Sequence, residues 1–299
     1  MSYVHGIDSY NRANLHVDPS NGHPIWSGHG GEPAWSYASR RYGGPPPFWG
    51  RYLNPDPRRS IDRPEVRFIR NASGGGCRLL LVYNGLSSRE VLGLRGAAAR
   101  DRGRRAAANA IAVASSLGFR PGVVATTRLS LDLERWPVPP DLILGWFERM
   151  GDSPFLGLGG LYGRVFPSFS AAEVRTARRR TGRRDWQQGG AYPWSRGLEW
   201  TVGRHAEERS TREIVADILG GNLARHRDYS VALWDPRYVV TNDSGPAPTP
   251  PARFRPGLNP GAPTTIWQYG RDVAIGGDVH LFDLNLATSQ AYAEMARLA

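Results

Sequence analysis

The sequence predicts an α/β fold, a single TIM-type (β/α)8 barrel with long Gly/Pro-rich loops. Short apolar runs alternate with helical patterns of about 10 to 15 residues, as expected for a parallel sheet with crossover helices. The chain has 299 residues, enough for one barrel of ordinary size. A doubly wound sheet shares this alternation, but its dinucleotide fingerprint is missing, because the glycines at 157–163 have the wrong spacing.

The predicted elements follow one another along one domain, residues 1–299. Residues 78–83 form a near-continuous apolar run, typical of a strand buried on both faces. The other predicted strands are 4–8, 48–53, 123–133, 155–162, 231–234 and 265–268. Helical spacing of apolar residues predicts helices at 103–117, 140–150, 170–180, 211–223 and 289–298. Dense arginine in one stretch and abundant Pro and Gly in another predict loop insertions within 170–210 and 241–264.

The charge of the chain is strongly positive. Its formal net charge is +11 with a sequence pI near 10.3, and all 38 basic residues are arginine. This bias has no folding rationale and indicates a GC-rich genome, such as that of an actinobacterium or one of its phages. A positive surface attracts anionic polymers, and both cell wall and nucleic acid qualify. No nucleic-acid-binding motif is present, so a nucleic-acid partner rests on charge alone.

Several classes of site and location are disfavoured by what the sequence lacks. Cys77 is the only cysteine and precedes an apolar run, which predicts a buried structural thiol. The histidines lack metal-ligand spacing, so we predict no metal and no cofactor. Residues 1–5 lack the pattern of a secretory signal, and no apolar run reaches the length of about 18 residues that suggests a membrane span. We therefore expect synthesis in the cytoplasm and delivery to any outside substrate by another route.

Two carboxylates lie two residues apart at the end of the fourth predicted strand. In the run 131–134 (LDLE), Asp132 and Glu134 are two residues apart, so their side chains point to the same side of a strand. Active sites of barrels lie at this carboxyl end of the strands. Mutual repulsion favours keeping a proton on one of two such acids, as a general acid near neutral pH requires. The alternative is that these acids cap the next helix or pair with Arg135.

Four short motifs follow one another along the chain: GID at 6–8, DLE at 132–134, WQY at 267–269 and DLN at 283–285. Their order resembles the family 25 glycoside hydrolases, the cell-wall lysozymes, and a related actinobacterial group of glycoside-hydrolase-like domains. The helix predicted at 103–117, followed by Gly118 and Pro121, resembles the family segment that leads into the Asp-x-Glu strand. The resemblance covers nearly the whole chain and implies a barrel fold.

The resemblance also implies roles for single residues. It makes Glu134 the general acid, while Asp132, Asp8 and Asp283 position the sugar, modulate Glu134 and stabilise developing positive charge. It places Trp267, Gln268 and Tyr269 against the substrate. For the aromatic residues, the alternative is packing in the core, because large aromatic side chains are mostly buried.

The function that follows is peptidoglycan hydrolysis. By resemblance, the enzyme would cut the β-1,4 link between N-acetylmuramic acid and N-acetylglucosamine by carboxylate general acid catalysis. Its partners would be peptidoglycan or another wall glycan, together with phage tail or particle proteins if a phage-like particle delivers it. The alternative is a glycan-binding or structural component of a phage or phage-like particle, built on an inactive glycosidase barrel.

Overall fold

The computed structural model describes residues 2–20, 23–25, 30–86, 88–91, 94–119, 128–132, 140–153, 159–162, 232–235, 240–241, 264–273 and 282–298. The strands in these ranges are β1 (Tyr3–Asp8), β2 (His16–Val17), β3 (Glu32–Pro33), β4 (Phe48–Leu53), β5 (Arg78–Tyr83), β6 (Leu129–Asp132), β7 (Gly159–Tyr162), β8 (Ala232–Asp235), β9 (Val240–Thr241), β10 (Thr264–Val273), β11 (Phe282–Thr288) and β12 (Ala296–Arg297). The helices are α1 (Ala34–Tyr42), α2 (Arg63–Ala72), α3 (Ser88–Val91), α4 (Gly96–Ser116), α5 (Pro140–Gly151) and α6 (Ser289–Ala293).

The architecture is a mixed α/β fold around one curled sheet. Its strands follow the order β11-β1-β4-β5-β6-β7-β8-β10, and neighbours from β1 to β10 are parallel. Strand β11 is antiparallel to both β1 and β10. This departs from the all-parallel TIM-type sheet that the sequence predicts, because the connection at 274–281 is shorter than the dozen or so residues of a parallel crossover.

The two faces of the sheet carry different apolar clusters. Successive residues of a strand point to opposite faces, and β5 shows this well, since Leu79 and Leu81 join the larger cluster while Leu80 and Val82 join the smaller. The larger cluster packs the sheet against α1, α2, α4 and α5, on what we call the outer face. The smaller cluster, with Met295, lies on the inner face.

Helix α4 begins at Gly96, well before the predicted start at 103. The backbone N–H of Gly96 donates to Asp141 Oδ2 at 3.0 Å, a cap supplied by α5 that local sequence does not reveal. The two helices pack closely, since a Cβ at Gly103 or at Gly145 would lie 1.9 Å from a carbonyl oxygen of the other helix. Both glycines are therefore needed for this packing.

The C-terminal segment differs from its prediction. Helix α6 ends at Ala293 instead of continuing to 298, because Ala296 and Arg297 pair antiparallel with β5. Helices α1 and α2 have no counterpart among the predicted elements. The helices predicted at 170–180 and 211–223 and the insertion predicted at 170–210 lie outside the described residues, as does the insertion predicted at 241–264 except for its first and last residues, which belong to β9 and β10.

Cys77 is 2% exposed, so its predicted burial is confirmed, and this burial raises the pKa of its thiol. Of the helices that the structure describes, none is both long and apolar enough to cross a membrane.

Candidate active site

Two of the acids singled out from the sequence are neighbours in the sheet. Asp8 is the last residue of β1, and Asp283 lies directly opposite it in the antiparallel pair of β1 and β11. Side chains directly opposite in such a pair have Cβ atoms about 4.5–5.5 Å apart. The fold therefore brings together two carboxylates from the two ends of the chain.

Gly50 makes room for Asp8 on the other side. The two residues are register partners in the parallel pair of β1 and β4. A Cβ at position 50 would lie 2.3 Å from the Cβ of Asp8, closer than real Cβ atoms approach. Asp8 is only 3% exposed, so its side chain has little freedom to move aside. Glycine at this position is therefore a requirement of the buried carboxylate.

Two side-chain amides hold the two carboxylates. Asn285 Nδ2 donates to Asp8 Oδ2 at 2.7 Å, and Gln268 Nε2 donates to Asp283 Oδ2 at 2.6 Å. Gln268 and Asn285 are themselves register partners in the pair of β10 and β11, and both are fully buried. A pair of amides thus lies beside the pair of acids and fixes the orientation of both carboxylates.

Tyr162 sets the orientation of one of these amides. Its hydroxyl donates to Gln268 Oε1 at 2.7 Å, so the NH2 group of Gln268 is directed to Asp283. Tyr162 ends β7, is 1% exposed and packs in the smaller cluster of the inner face. This burial favours a positioning role for Tyr162 over contact with a sugar.

Asp132 occupies the position that the sequence predicts. It is the last residue of β6, the fourth strand in the parallel series β1, β4, β5 and β6, and it is 8% exposed. Leu129 and Leu131 belong to the outer cluster, so Asp132 faces the inner side. It pairs in register with Tyr162. Glu134 lies outside the described residues, and its role stays a prediction.

The WQY motif divides between the two faces of the sheet. Gln268 faces inward, whereas Trp267 is 2% exposed and belongs to the outer cluster. This burial favours the packing alternative for Trp267 over sugar contact. Tyr269 lies within β10, and its contact with substrate stays a prediction.

A buried ion pair, not foreseen from the sequence, supports the segment after Asp8. Arg51 Nε donates to Glu65 Oε1 at 2.7 Å, and the two side chains are 1% and 0% exposed. Arg51 Nη1 also donates to the carbonyl oxygens of Ser9 and Tyr10 at 3.0 and 2.9 Å, and Glu65 Oε1 accepts from the backbone of Ala13 at 2.8 Å. The ion pair of Arg51 and Glu65 thereby holds the backbone that follows Asp8.

The end of the inner face at which β6 begins carries a buried ion pair. Arg128 precedes β6, is 2% exposed, and forms an ion pair with Glu294 just after α6. Its Nη1 donates to the carbonyl oxygen of Gly159 at 2.7 Å. Burial lowers the pKa of Arg128, and the charge of Glu294 opposes that shift. We call this end of the inner face, with Arg128 and Glu294, the ion-pair end.

We call the other end, at the carboxyl ends of the parallel strands, the acidic end; it comprises Asp8, Asp132, Tyr162, Gln268, Asp283 and Asn285. Its carboxylates could accept hydrogen bonds from sugar hydroxyls and stabilise positive charge on a sugar ring. In the ranges that the structure describes, no cluster of His, Cys, Asp and Glu is suited to hold a metal ion.

Comparison with solved structures shows which proteins have a similar fold. No family model and no curated protein matches the chain. An uncharacterised protein of B. stearothermophilus has a TM-score of 0.54 at 21% identity, over 98% of this chain and 99% of that one. This likeness shows a shared fold. A spore cortex lytic enzyme of Clostridium perfringens has a TM-score of 0.48 at 14% identity, over 96% of this chain and 67% of that one. The catalytic domain of an endolysin from Listeria monocytogenes bacteriophage P40 has a TM-score of 0.46 at 12% identity, over 98% of both chains.

Proposed function

We propose that this chain is a glycoside hydrolase that acts on peptidoglycan, at the β-1,4 link between N-acetylmuramic acid and N-acetylglucosamine. The observation that carries the proposal is the side-by-side placement of Asp8 and Asp283, each held by an amide. Most glycoside hydrolases use carboxyl groups around the scissile bond. The motifs that resemble family 25 are far apart in sequence, yet they contribute Asp8, Asp132, Gln268 and Asp283 to one end of one face.

We also propose that the curled sheet is a closed barrel of the glycosidase type. Strand β10 pairs with β8 on one side and with β11 on the other, and β11 pairs in turn with β1. These pairings support a ring of eight strands, with the outer cluster covered by helices. The acidic end would then be the mouth of the barrel, where the substrate enters.

In the proposed mechanism, Glu134 is the general acid. It follows Asp132 by two residues, so on a continuing strand its side chain would project to the same side. Glu134 gives its proton to the glycosidic oxygen as the bond from that oxygen to the sugar C1 breaks. Asp8, Asp132 and Asp283 stabilise the positive charge that develops on the sugar ring. Water completes the hydrolysis by adding its oxygen to C1, and its proton returns to a carboxylate.

The test is release of new reducing ends from purified cell walls. Glu134→Gln keeps the shape and removes the proton donor, so we expect turnover to fall by about 100-fold or more, with an unchanged melting temperature. Asp132→Asn should also slow the reaction. Asp101→Asn is the matched control, because it removes an acid that is 54% exposed on α4, a helix that packs on the outer face.

Two results would contradict the proposal. Equal activity of the wild type and Glu134→Gln would remove the general acid assignment. A wild-type protein that binds wall glycan but releases no reducing ends from any wall would favour the glycan-binding or structural alternative, in which the acidic end recognises sugar without cutting it.

A further inference from the structure

Tyr10 is the most exposed large hydrophobic residue among those that the structure describes. It is 53% exposed and follows Asp8 by two residues. Its ring lies against that of Tyr52, with centroids 6.0 Å apart and planes inclined at 57°. Tyr52 follows Gly50 by two residues on β4 and therefore points to the same inner face. Both tyrosines therefore lie two residues beyond the register pair of Asp8 and Gly50, towards the carboxyl ends of β1 and β4.

The backbone that carries both rings is fixed. The carbonyl oxygen of Tyr10 accepts from Arg51 of the buried ion pair at 2.9 Å. The carbonyl oxygen of Tyr52 accepts from the backbone N–H of Ile61 at 2.9 Å, within a regular strand. An exposed aromatic ring on a rigid backbone presents contact area to a ligand with little further loss of conformational entropy.

We infer that Tyr10 and Tyr52 form a stacking platform for a pyranose ring of an N-acetylhexosamine glycan. One face of a pyranose is lined with C–H groups and suits an aromatic ring, while its hydroxyl groups need polar partners. Beside this platform, Asp8 supplies a carboxylate acceptor, so apolar and polar contacts converge as in ordinary ligand sites. The inference rests on the proposed function, and it names the subsite that holds a sugar beside the cleaved bond.

Calorimetric binding of the N-acetylglucosamine tetrasaccharide tests the platform. The titration uses the full chain with Glu134→Gln, so that the glycan stays intact. We expect Tyr10→Ala to raise Kd about tenfold, which corresponds to about 1.4 kcal/mol, and Tyr10→Phe to leave Kd within about twofold. Tyr3→Ala is the matched control, because Tyr3 is 39% exposed at the other end of the same strand, and it should also leave Kd unchanged.

Steady-state hydrolysis of cell walls separates a binding role from a structural one. In the otherwise wild-type chain, Tyr10→Ala should raise KM by about tenfold while kcat stays within about twofold. This pattern is expected when a change weakens binding of the substrate and of the transition state equally. A fall in kcat at constant KM would overturn the platform, as would a Tyr10→Ala Kd within about twofold of the parent, or a Tyr3→Ala effect of the same size. If the wild type hydrolyses walls and Tyr10→Ala has the wild-type KM, the platform fails and the proposed function stands. If the wild type neither hydrolyses walls nor binds the tetrasaccharide, both fail.

Discussion

The two ends of the inner face bury charge in opposite ways. At the ion-pair end, the buried guanidinium of Arg128 meets the carboxylate of Glu294 and a carbonyl oxygen. At the acidic end, Asp8 stands directly opposite another carboxylate, that of Asp283. A buried charge next to an opposite charge is compensated, and removing its partner is costly, whereas adjacent like charges repel each other. The first end thus offsets its buried charge within the fold, whereas the second places like charges together, as expected of the proposed active site.

Among changes at the two ends of the inner face, Asp8→Asn should give the largest effect on activity. The change removes the charge and nearly keeps the shape, so we expect hydrolysis of cell walls to fall by about 100-fold or more. Because repulsion from Asp283 is relieved, the free energy of unfolding should stay the same or rise by about 1 kcal/mol. Reducing-end release and urea denaturation measure the two quantities. A large loss of stability would show that Asp8 is a structural acid, and the contrast between the two ends would fail.

Arg128→Met should have the opposite profile. It leaves the carboxylate of Glu294, 13% exposed, without its cation, and breaking a buried pair in this way costs about 3–5 kcal/mol. Urea denaturation should show this loss, while kcat of the folded fraction stays close to that of the wild type. The double variant Arg128→Met, Glu294→Gln should recover part of the lost stability. Loss of activity without loss of stability would reverse the roles of the two ends.

Sequence patterns predict where Asp8 and Asp132 lie in the sheet but not which side chains contact the acids of the acidic end. Asp8 and Asp132 end strands that apolar runs predict, and the carboxyl ends of parallel strands meet at one end of a sheet, so their placement follows from local pattern. The hydrogen bond from Gln268 to Asp283, and the close approach of Gly50 to Asp8, depend on register between separate strands. Nothing local encodes such register.

Helix α2 is not among the predicted elements, although the sequence contains a signal for its start. Helix α2 begins with Asp62 as N-cap, and its side chain accepts from the backbone of Glu65, a spacing that marks helix starts. That Glu65 is also fully buried against Arg51 is a tertiary fact without such a signal. For Trp267 and Gln268, alternation along a strand means that only one of the two can face inward, and Trp267 belongs to the outer cluster, so it is Gln268 that faces inward.

Gly50→Ala should have a smaller effect than either charge change. The added Cβ would meet that of Asp8 at 2.3 Å, so the strand must shift, and overpacking of this kind costs about 1–3 kcal/mol. We also expect activity to fall about tenfold, because a small displacement of Asp8 disturbs its alignment. Gly76→Ala is the control, because its nearest neighbour would be Ser73 O at 3.3 Å. Unchanged activity in Gly50→Ala would show that the position of Asp8 tolerates movement.

The smallest effect concerns His5 on β1, which points to the same face as Ile7 of the outer cluster. Burial lowers its pKa from 6.5 to about 4. Between pH 6.5 and 4, the His5 side chain therefore binds a proton more readily in the unfolded chain than in the folded one. The contribution of neutral His5 to the free energy of unfolding is fully present above pH 6.5 and is lost as the pH falls through this window. From pH 7 to 5.5 we expect a loss of about 1 kcal/mol.

His5→Gln should flatten the slope of unfolding free energy against pH in this window, whereas His23→Gln, at an exposed position, should keep it. An unchanged slope in His5→Gln would show that other groups, such as the acids of the active-site candidate, dominate the pH dependence.

The pairing of β1 with β11 has a consequence for how the protein is made. Asn285 and Asp8 touch across 277 positions of sequence, and β5 receives its partner β12 later still. During translation, one edge of the first strand therefore stays unpaired until β11 is synthesised, a state exposed to misassembly. The pair of Asp8 and Asp283 forms only after residues 282–288 leave the ribosome, so the proposed catalytic centre is assembled by the last step of sheet formation between β1 and β11.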